Sequence, residues 1–113
     1  MHLIIAYIRP ERLRDVKRRL VESQLLKISV TNALGCGDER NEHERYRGAE
    51  VEVDLHKRIR LEVAVNQPYV QKTVDAIVAG GRTGEIGDGK IFVLGLADCV
   101  RIRTGERGDD AIG

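Results

Sequence analysis

Residues 3–8, Leu-Ile-Ile-Ala-Tyr-Ile, form an apolar run of strand length. Leu3, Ile5 and Tyr7 alternate with Ile4, Ala6 and Ile8, so both faces are apolar, which predicts a central strand. Pro10 stops the strand and suits a first helical turn, with Glu11 favourable at the positive end of the helix dipole. Leu13, Val16 and Leu20 then recur at helical spacing, while Arg12, Arg14, Lys17, Arg18 and Arg19 fall on the water side. The spacing predicts an amphipathic helix over 10–23. Residues 28–34 alternate apolar and polar and predict a second strand, ended by Gly35-Cys36-Gly37. Residues 58–65 put Ile59, Leu61, Val63 and Val65 on one face of a third strand. Asn66-Gln67-Pro68 reads as a helix start, Val70, Val74, Ile77 and Val78 as its apolar stripe, and Gly80-Gly81 as its end. Residues 91–94 predict a short last strand, followed by an extended, glycine-containing tail.

The order is β-α-β, a long excursion, then β-α-β. That is the ferredoxin-like double split βαβ pattern, an α+β fold with a four-stranded antiparallel sheet and two helices on one face. The other sheet face is left bare, and a bare apolar face on so small a domain predicts self-association. The excursion, residues 37–55, exceeds the length of an ordinary connection and predicts a functional arm. It holds seven acidic residues, Asp38, Glu39, Glu42, Glu44, Glu50, Glu52 and Asp54, against Arg40, Arg45 and Arg47. Seven less three gives the arm a net −4 on a remainder of net +5.

Composition narrows the function classes. A chain of 113 residues makes one ordinary domain. Nineteen Lys and Arg against eighteen Asp and Glu exclude a nucleic-acid binder working by bulk phosphate attraction. No apolar run reaches the roughly 18 residues of a membrane span. The amino-terminal charges follow the apolar run instead of preceding it, which is the wrong order for a signal peptide, so a cytoplasmic location is expected. Cys36 and Cys99 have neither disulfide-framework nor metal-ligand spacing and are expected reduced, with Cys36 a buried or half-buried small hydrophobe. His43 sits among Glu39, Glu42 and Glu44 and reads as a solvated loop histidine rather than a metal ligand.

Candidate chemistry lies in the second half. Residues 83–90, Thr-Gly-Glu-Ile-Gly-Asp-Gly-Lys, form a glycine-rich turn whose backbone N–H groups can cradle an anion, with Lys90 adding a point charge. Arg101 and Arg103, two apart on an extended chain, would point to one side and repel unless an anion lies between them. A polyphosphate fits, because guanidinium matches phosphate oxygens. Several charge-assisted bonds of roughly 1.5–3 kcal/mol each reach the −8 kcal/mol or so of micromolar nucleotide affinity. No Ser-His-Asp or Cys-His set suggests catalysis.

Three stretches carry a resemblance. Residues 46–50, Tyr-Arg-Gly-Ala-Glu, 83–93, and 101–107, Arg-Ile-Arg-Thr-Gly-Glu-Arg, are similar in register to the signatures of the PII signal-transduction proteins. The resemblance runs without a gap from residue 1 to about 112. It implies a homotrimer with inward-facing sheets and ATP or ADP, with AMP a candidate, in the clefts between subunits. It places Ser29, Gly35, Gly37, Ala64, Gly87, Asp88, Gly89, Lys90, Arg101 and Arg103 around the nucleotide, with Lys90 and the arginines on phosphates. It makes 37–55 the T-loop, 82–90 the B-loop and 101–113 the C-terminal loop, in one PII-like domain. The T-loop would dock on a partner, a membrane transporter or a metabolic enzyme.

The departures from the family pattern matter as much. Val51 stands where many bacterial members carry the uridylylated tyrosine, and Ala49 where some cyanobacterial members carry a phosphorylated serine; Tyr46 is not the usual site. Glu39 replaces the glutamine that helps hold Mg²⁺ and 2-oxoglutarate, Arg58 the lysine that meets the far carboxylate, and Asp38 an arginine near the phosphates. Glu39 can still offer an oxygen to Mg²⁺. It also faces an incoming dicarboxylate with like charge, on the order of 4 kcal/mol at about 4 Å and an effective dielectric near 20. The resulting expectation is a nucleotide-binding regulator with weakened 2-oxoglutarate response. The alternative is a variant regulator tied to inorganic-carbon (bicarbonate, carboxysome) or heavy-metal transport. A small ferredoxin-like phosphohydrolase using Arg9 with Asn32 or Asn66 is a remote third, since no glycine cradle follows the first strand.

Overall fold

The computed structural model describes residues 1–36 and 55–113. The expected T-loop therefore lies almost wholly outside the described residues, and with it Gly37 and Glu39.

Strands β1 (His2–Ile8), β2 (Ser29–Gly35), β3 (His56–Val65) and β4 (Lys90–Gly95) form one antiparallel sheet in the order β2-β3-β1-β4. Helices α1 (Leu13–Glu22) and α2 (Val70–Gly81) connect β1 to β2 and β3 to β4. Each strand pair joined by a helix has another strand between its members, which is the expected split βαβ topology. Short 3₁₀ turns, Pro10–Arg12 and Gln67–Tyr69, precede both helices, so the α-helices start three residues after Pro10 and two after Pro68.

The core lies between helices and sheet. Ile4, Ala6 and Ile8 of β1 and Ile59, Leu61, Val63 and Val65 of β3 are buried there against Val16, Leu20, Ala76 and Ile77. Between α1 and α2 the contact is closer than the expected valine stripe implies. Val78 is 43% exposed, and the seam instead uses small residues: Thr73, Ala76, Gly80 and Gly81 are all buried. A methyl on Gly80 would sit 2.6 Å from Val16 Cα, 2.8 Å from Val16 N and 2.9 Å from the Asp15 carbonyl oxygen. Gly80 is thus a helix-crossing residue, not merely a terminator. Arg12 adds a polar tie, Nε donating to the Gly80 carbonyl at 2.9 Å.

Helix α1 ends in a Schellman turn. Leu25 N–H donates to the Leu20 carbonyl at 2.8 Å and Gln24 N–H to the Val21 carbonyl at 2.9 Å. Gln24 takes the left-handed conformation there, at φ 62°.

The opposite sheet face carries Leu3, Ile5 and Tyr7 of β1 beside Phe92 and Leu94 of β4, in register. Tyr7 meets Phe92 edge to face at 6.4 Å, and the Arg60 guanidinium lies 5.9 Å from the Tyr7 ring centre while pairing with Glu62 at 2.9 Å. Beyond β4 the expected extended tail is instead folded. A bridge joins Val100 to Arg107, a tight turn closes between them, and a helical turn spans Asp109–Ile112.

Two predictions follow from the packing. Gly80→Ala meets backbone atoms that cannot yield and destabilises by about 2–3 kcal/mol, while Gly81→Ala, with contacts no closer than 3.6 Å, changes stability by under about 1 kcal/mol; urea unfolding of both separates them. Gln24→Gly relieves the left-handed strain and raises stability by about 0.5–1 kcal/mol in the same assay.

Candidate functional site

The loop between α2 and β4 is organised by one carboxylate. Asp88 accepts hydrogen bonds from the Thr83 hydroxyl, from the Thr83 and Gly84 backbone N–H groups at 2.9 Å each, and from Arg9 Nε at 3.0 Å. Arg9 also donates through Nη2 to the Ile86 carbonyl at 2.7 Å. The hydrogen bond from the Thr83 hydroxyl, then those from the backbone N–H groups and Arg9, hold the Asp88 carboxyl well below the usual carboxylate range.

This refines the expected anion cradle. Two of its N–H donors already point at an anion belonging to the chain itself. Asp88 shapes the loop from within, and an external phosphate would meet the backbone of 87–89 and the Lys90 side chain instead. Gly89 could be no other residue: at φ 96° its missing side chain would lie 1.7 Å from the Tyr7 carbonyl oxygen. That close approach sets Lys90 opposite Tyr7 at the start of β4. Lys90, Gly89, Asp88 and Arg82 edge a cleft of about 370 Å³ whose floor is Tyr7, Ile8, Val74, Ile77, Val78 and Ile91.

Gly35 and Arg58 lie at the same end of the sheet as this loop. Gly35 pairs with His56, two residues before Arg58, while Ile59 pairs with Ile8.

Ser29, Ala64 and Arg101 gather elsewhere. Ser29 lies opposite Glu62 and Ala64 opposite Leu3, at the other end of the strands. Ser29 and Ala64, with Leu3, Lys27, Ile28, Glu62 and Ile112, line a cavity of about 300 Å³ beside the C-terminal turn, and Arg101 joins them through a Gly113 oxygen that Lys27 also contacts. Arg58 and Ala64 are six residues apart on β3, about 20 Å at the strand rise. The sequence-derived residues thus form two clusters at opposite ends of one sheet.

The arginine pair needs correction. Arg101 and Arg103 are not two apart on an extended chain, because residues 101–106 turn back: Gly105 N–H donates to the Arg101 carbonyl at 2.7 Å and Arg101 N–H to the Glu106 carbonyl at 2.9 Å. Arg101 pairs through Nη1 with Glu106 at 3.3 Å and donates through Nη2 to the Asp110 carbonyl at 3.2 Å. Arg103 is exposed on the turn. Cys36 is also exposed, at the edge where β2 ends, rather than buried or half-buried.

The sequence marks Arg9 only as a phosphohydrolase candidate and Thr83 only as part of the glycine-rich turn, and it singles out neither Lys27 nor Glu62. Arg9, the residue between the strand and Pro10, was the one with a readable signal. Its commitment to Asp88 and Ile86 also removes it as the phosphate arginine of a phosphohydrolase. Among the described residues no group of three or more His, Cys, Asp or Glu is placed to hold a metal ion, and no helix is long and apolar enough to cross a membrane.

Asp88 gives a pH prediction. Its lowered folded value means its contribution to stability is fully present above the ordinary aspartate value of 3.8 and is lost as pH falls below that toward the folded value. A carboxyl-carbon NMR titration should find Asp88 still ionised at pH 3, where exposed aspartates are mostly protonated. Asp88→Asn should increase amide exchange in residues 83–89 selectively at neutral pH.

Comparison with known proteins agrees with this architecture over the whole chain. The family model for "Nitrogen regulatory protein P-II" matches residues 1–106. The chain is similar to the nitrogen regulatory protein P-II of Rhodospirillum rubrum, 45% identical over 112 residues, which are 99% of this chain and 100% of that protein. It is 40% identical, with the same coverage, to the P-II protein of Nostoc punctiforme. Among solved structures it resembles Arabidopsis thaliana PII bound to citrate, with a TM-score of 0.79 and 32% identity, covering 98% of this chain and 88% of that one.

Proposed function

The chain belongs to the nitrogen regulatory protein P-II family, and from that premise we propose that it is a cytoplasmic homotrimer binding adenine nucleotides between its subunits. P-II proteins are signal transducers of nitrogen metabolism and not enzymes, which removes the phosphohydrolase alternative. Family members bind ATP or ADP and 2-oxoglutarate and act as trimers on target proteins.

The observation that carries the nucleotide reading is the division of the candidate residues. Gly35, Arg58 and the 87–90 loop lie at one end of the sheet, and Ser29 and Ala64 at the other, where Arg101 shares a Gly113 oxygen with Lys27. One nucleotide cannot bridge about 20 Å of strand within a subunit. Two copies packed through their open faces can bring unlike ends together, so that Lys90 of one and Arg101 of the next meet the same phosphates. The apolar, in-register row of Leu3, Ile5, Tyr7, Phe92 and Leu94 supplies the contact surface. Gly37 and Arg103 complete the proposed nucleotide set.

The second ligand is where this chain departs from the family. Glu39 and Arg58 stand at the positions that meet 2-oxoglutarate in relatives, and we read the response as weakened, with Mg²⁺ held by Glu39 where it is held at all. Val51 and Ala49 leave no hydroxyl at the two modified positions, so output rests on ligand-dependent T-loop docking alone. Ligands shift that loop only by their differential affinity for its states. The same substitutions favour the second reading, a variant regulator of inorganic-carbon or heavy-metal transport.

Calorimetric titration of ATP, ADP and AMP, with and without Mg²⁺ and 2-oxoglutarate, tests the reading. The expected result is micromolar ADP or ATP binding with less than about threefold enhancement by 2-oxoglutarate, roughly 0.6 kcal/mol of coupling. Lys90→Gln should weaken nucleotide binding by about ten- to a hundredfold. Strong synergy between Mg-ATP and 2-oxoglutarate would restore the ordinary carbon–nitrogen sensor; no nucleotide binding at all would end the proposal.

A further inference from the structure

Two cations converge on one oxygen at the C-terminal cluster. An oxygen of Gly113 accepts from Lys27 Nζ at 2.6 Å and from Arg101 Nη2 at 2.9 Å. Lys27 belongs to none of the sequence motifs; it sits in the connection between α1 and β2. Its head group and that of Arg101 approach one another only because an acceptor lies between them.

The segment that supplies this oxygen is held along its length. Asn66 Nδ2 donates to the Asp109 carbonyl at 3.1 Å, Arg101 Nη2 to the Asp110 carbonyl at 3.2 Å, and Ile112 lines the cavity against Leu3, Ile28 and Ala64. The hydrogen bonds are all solvent-exposed, so each contributes little. The docked arrangement is therefore favoured by only a few-fold to about tenfold. A diphosphate presents several charged oxygens to the same two cations and is the better partner.

We propose that Lys27 and Arg101 form a two-cation seat for the phosphates of a bound nucleotide, and that residues 109–113 are an internal competitor for it. The proposal rests on the nucleotide reading above and adds Lys27 to it as a ligand-binding residue. Ligand binding then requires release of 109–113, and each occupant excludes the other from Arg101. Glu106, which pairs with the other guanidinium nitrogen of Arg101, keeps the side chain in place during the exchange.

Titration with ADP and with inorganic pyrophosphate tests this on four proteins: the full chain, Ile112→Asp, a chain ending at Gly108, and that shortened chain carrying Lys27→Gln. Removing or undocking the competitor should tighten both ligands by about three- to tenfold. Lys27→Gln should then weaken both by about tenfold in the shortened chain. Ile112→Asp keeps full length, so the result does not depend on the shortened chain folding well. Equal affinity of the full chain and both undocked forms overturns the competition, and an unaffected Lys27→Gln overturns the seat. Pyrophosphate binding that follows the pattern without ADP binding keeps the seat and ends the nucleotide reading. Failure of both ligands in every form ends both.

Discussion

Arg9 leaves β1 and Asp88 approaches β4, 79 residues later, and their side chains meet at the end of the strand pair that joins them. Both groups are largely shielded, with side chains 17% and 23% exposed, so the pair is screened less than an ordinary surface one. Around it the loop has little freedom. Thr83 and Gly84 aim their N–H groups inward, Ile86 is fastened by its carbonyl, and Gly89 lies against the Tyr7 backbone. The place of Lys90, and with it one half of the candidate site, is set by this contact.

The helical layer is a second constraint with a consequence for the other face. Because Gly80 lets α2 approach the backbone of α1, the two helices cover one side of the sheet tightly. The other side keeps a row of apolar side chains and a Tyr7–Phe92 contact, edged by the Arg60–Glu62 pair. Such a face combines a hydrophobic centre with a charge pair capable of fixing register, which suits it to a partner of the same kind.

Much of this was legible in the sequence because alternation and helical spacing report burial directly. β1 and β3 were read from their apolar runs, and the strand order followed from the β-α-β repeat. The expected stripe holds at Val70, Val74 and Ile77, which pack on the core, and fails at Val78; the seam with α1 was not legible because Thr73 and Gly80 carry no hydrophobic signal. The extended tail expected at Arg101–Arg103 gives way to a local turn, because backbone bonds close across 101–106. Asp88 was placed at the right loop. Its partners were invisible because Arg9 is distant in sequence and an inward carboxylate looks the same in a sequence as an outward one. Lys27 had no motif to mark it.

In the proposed shared site, the separation of the candidate residues to the two ends of the sheet would make occupancy a matter of mass action between copies of the chain as well as between chain and ligand. A ligand that bridges subunits necessarily strengthens their association, and dilution of the protein necessarily weakens its grip on the ligand. Half-sites of this kind also make mixed assemblies informative. A subunit crippled at one end and a subunit crippled at the other can share a single intact cleft, so two inactive chains, once combined, complement each other.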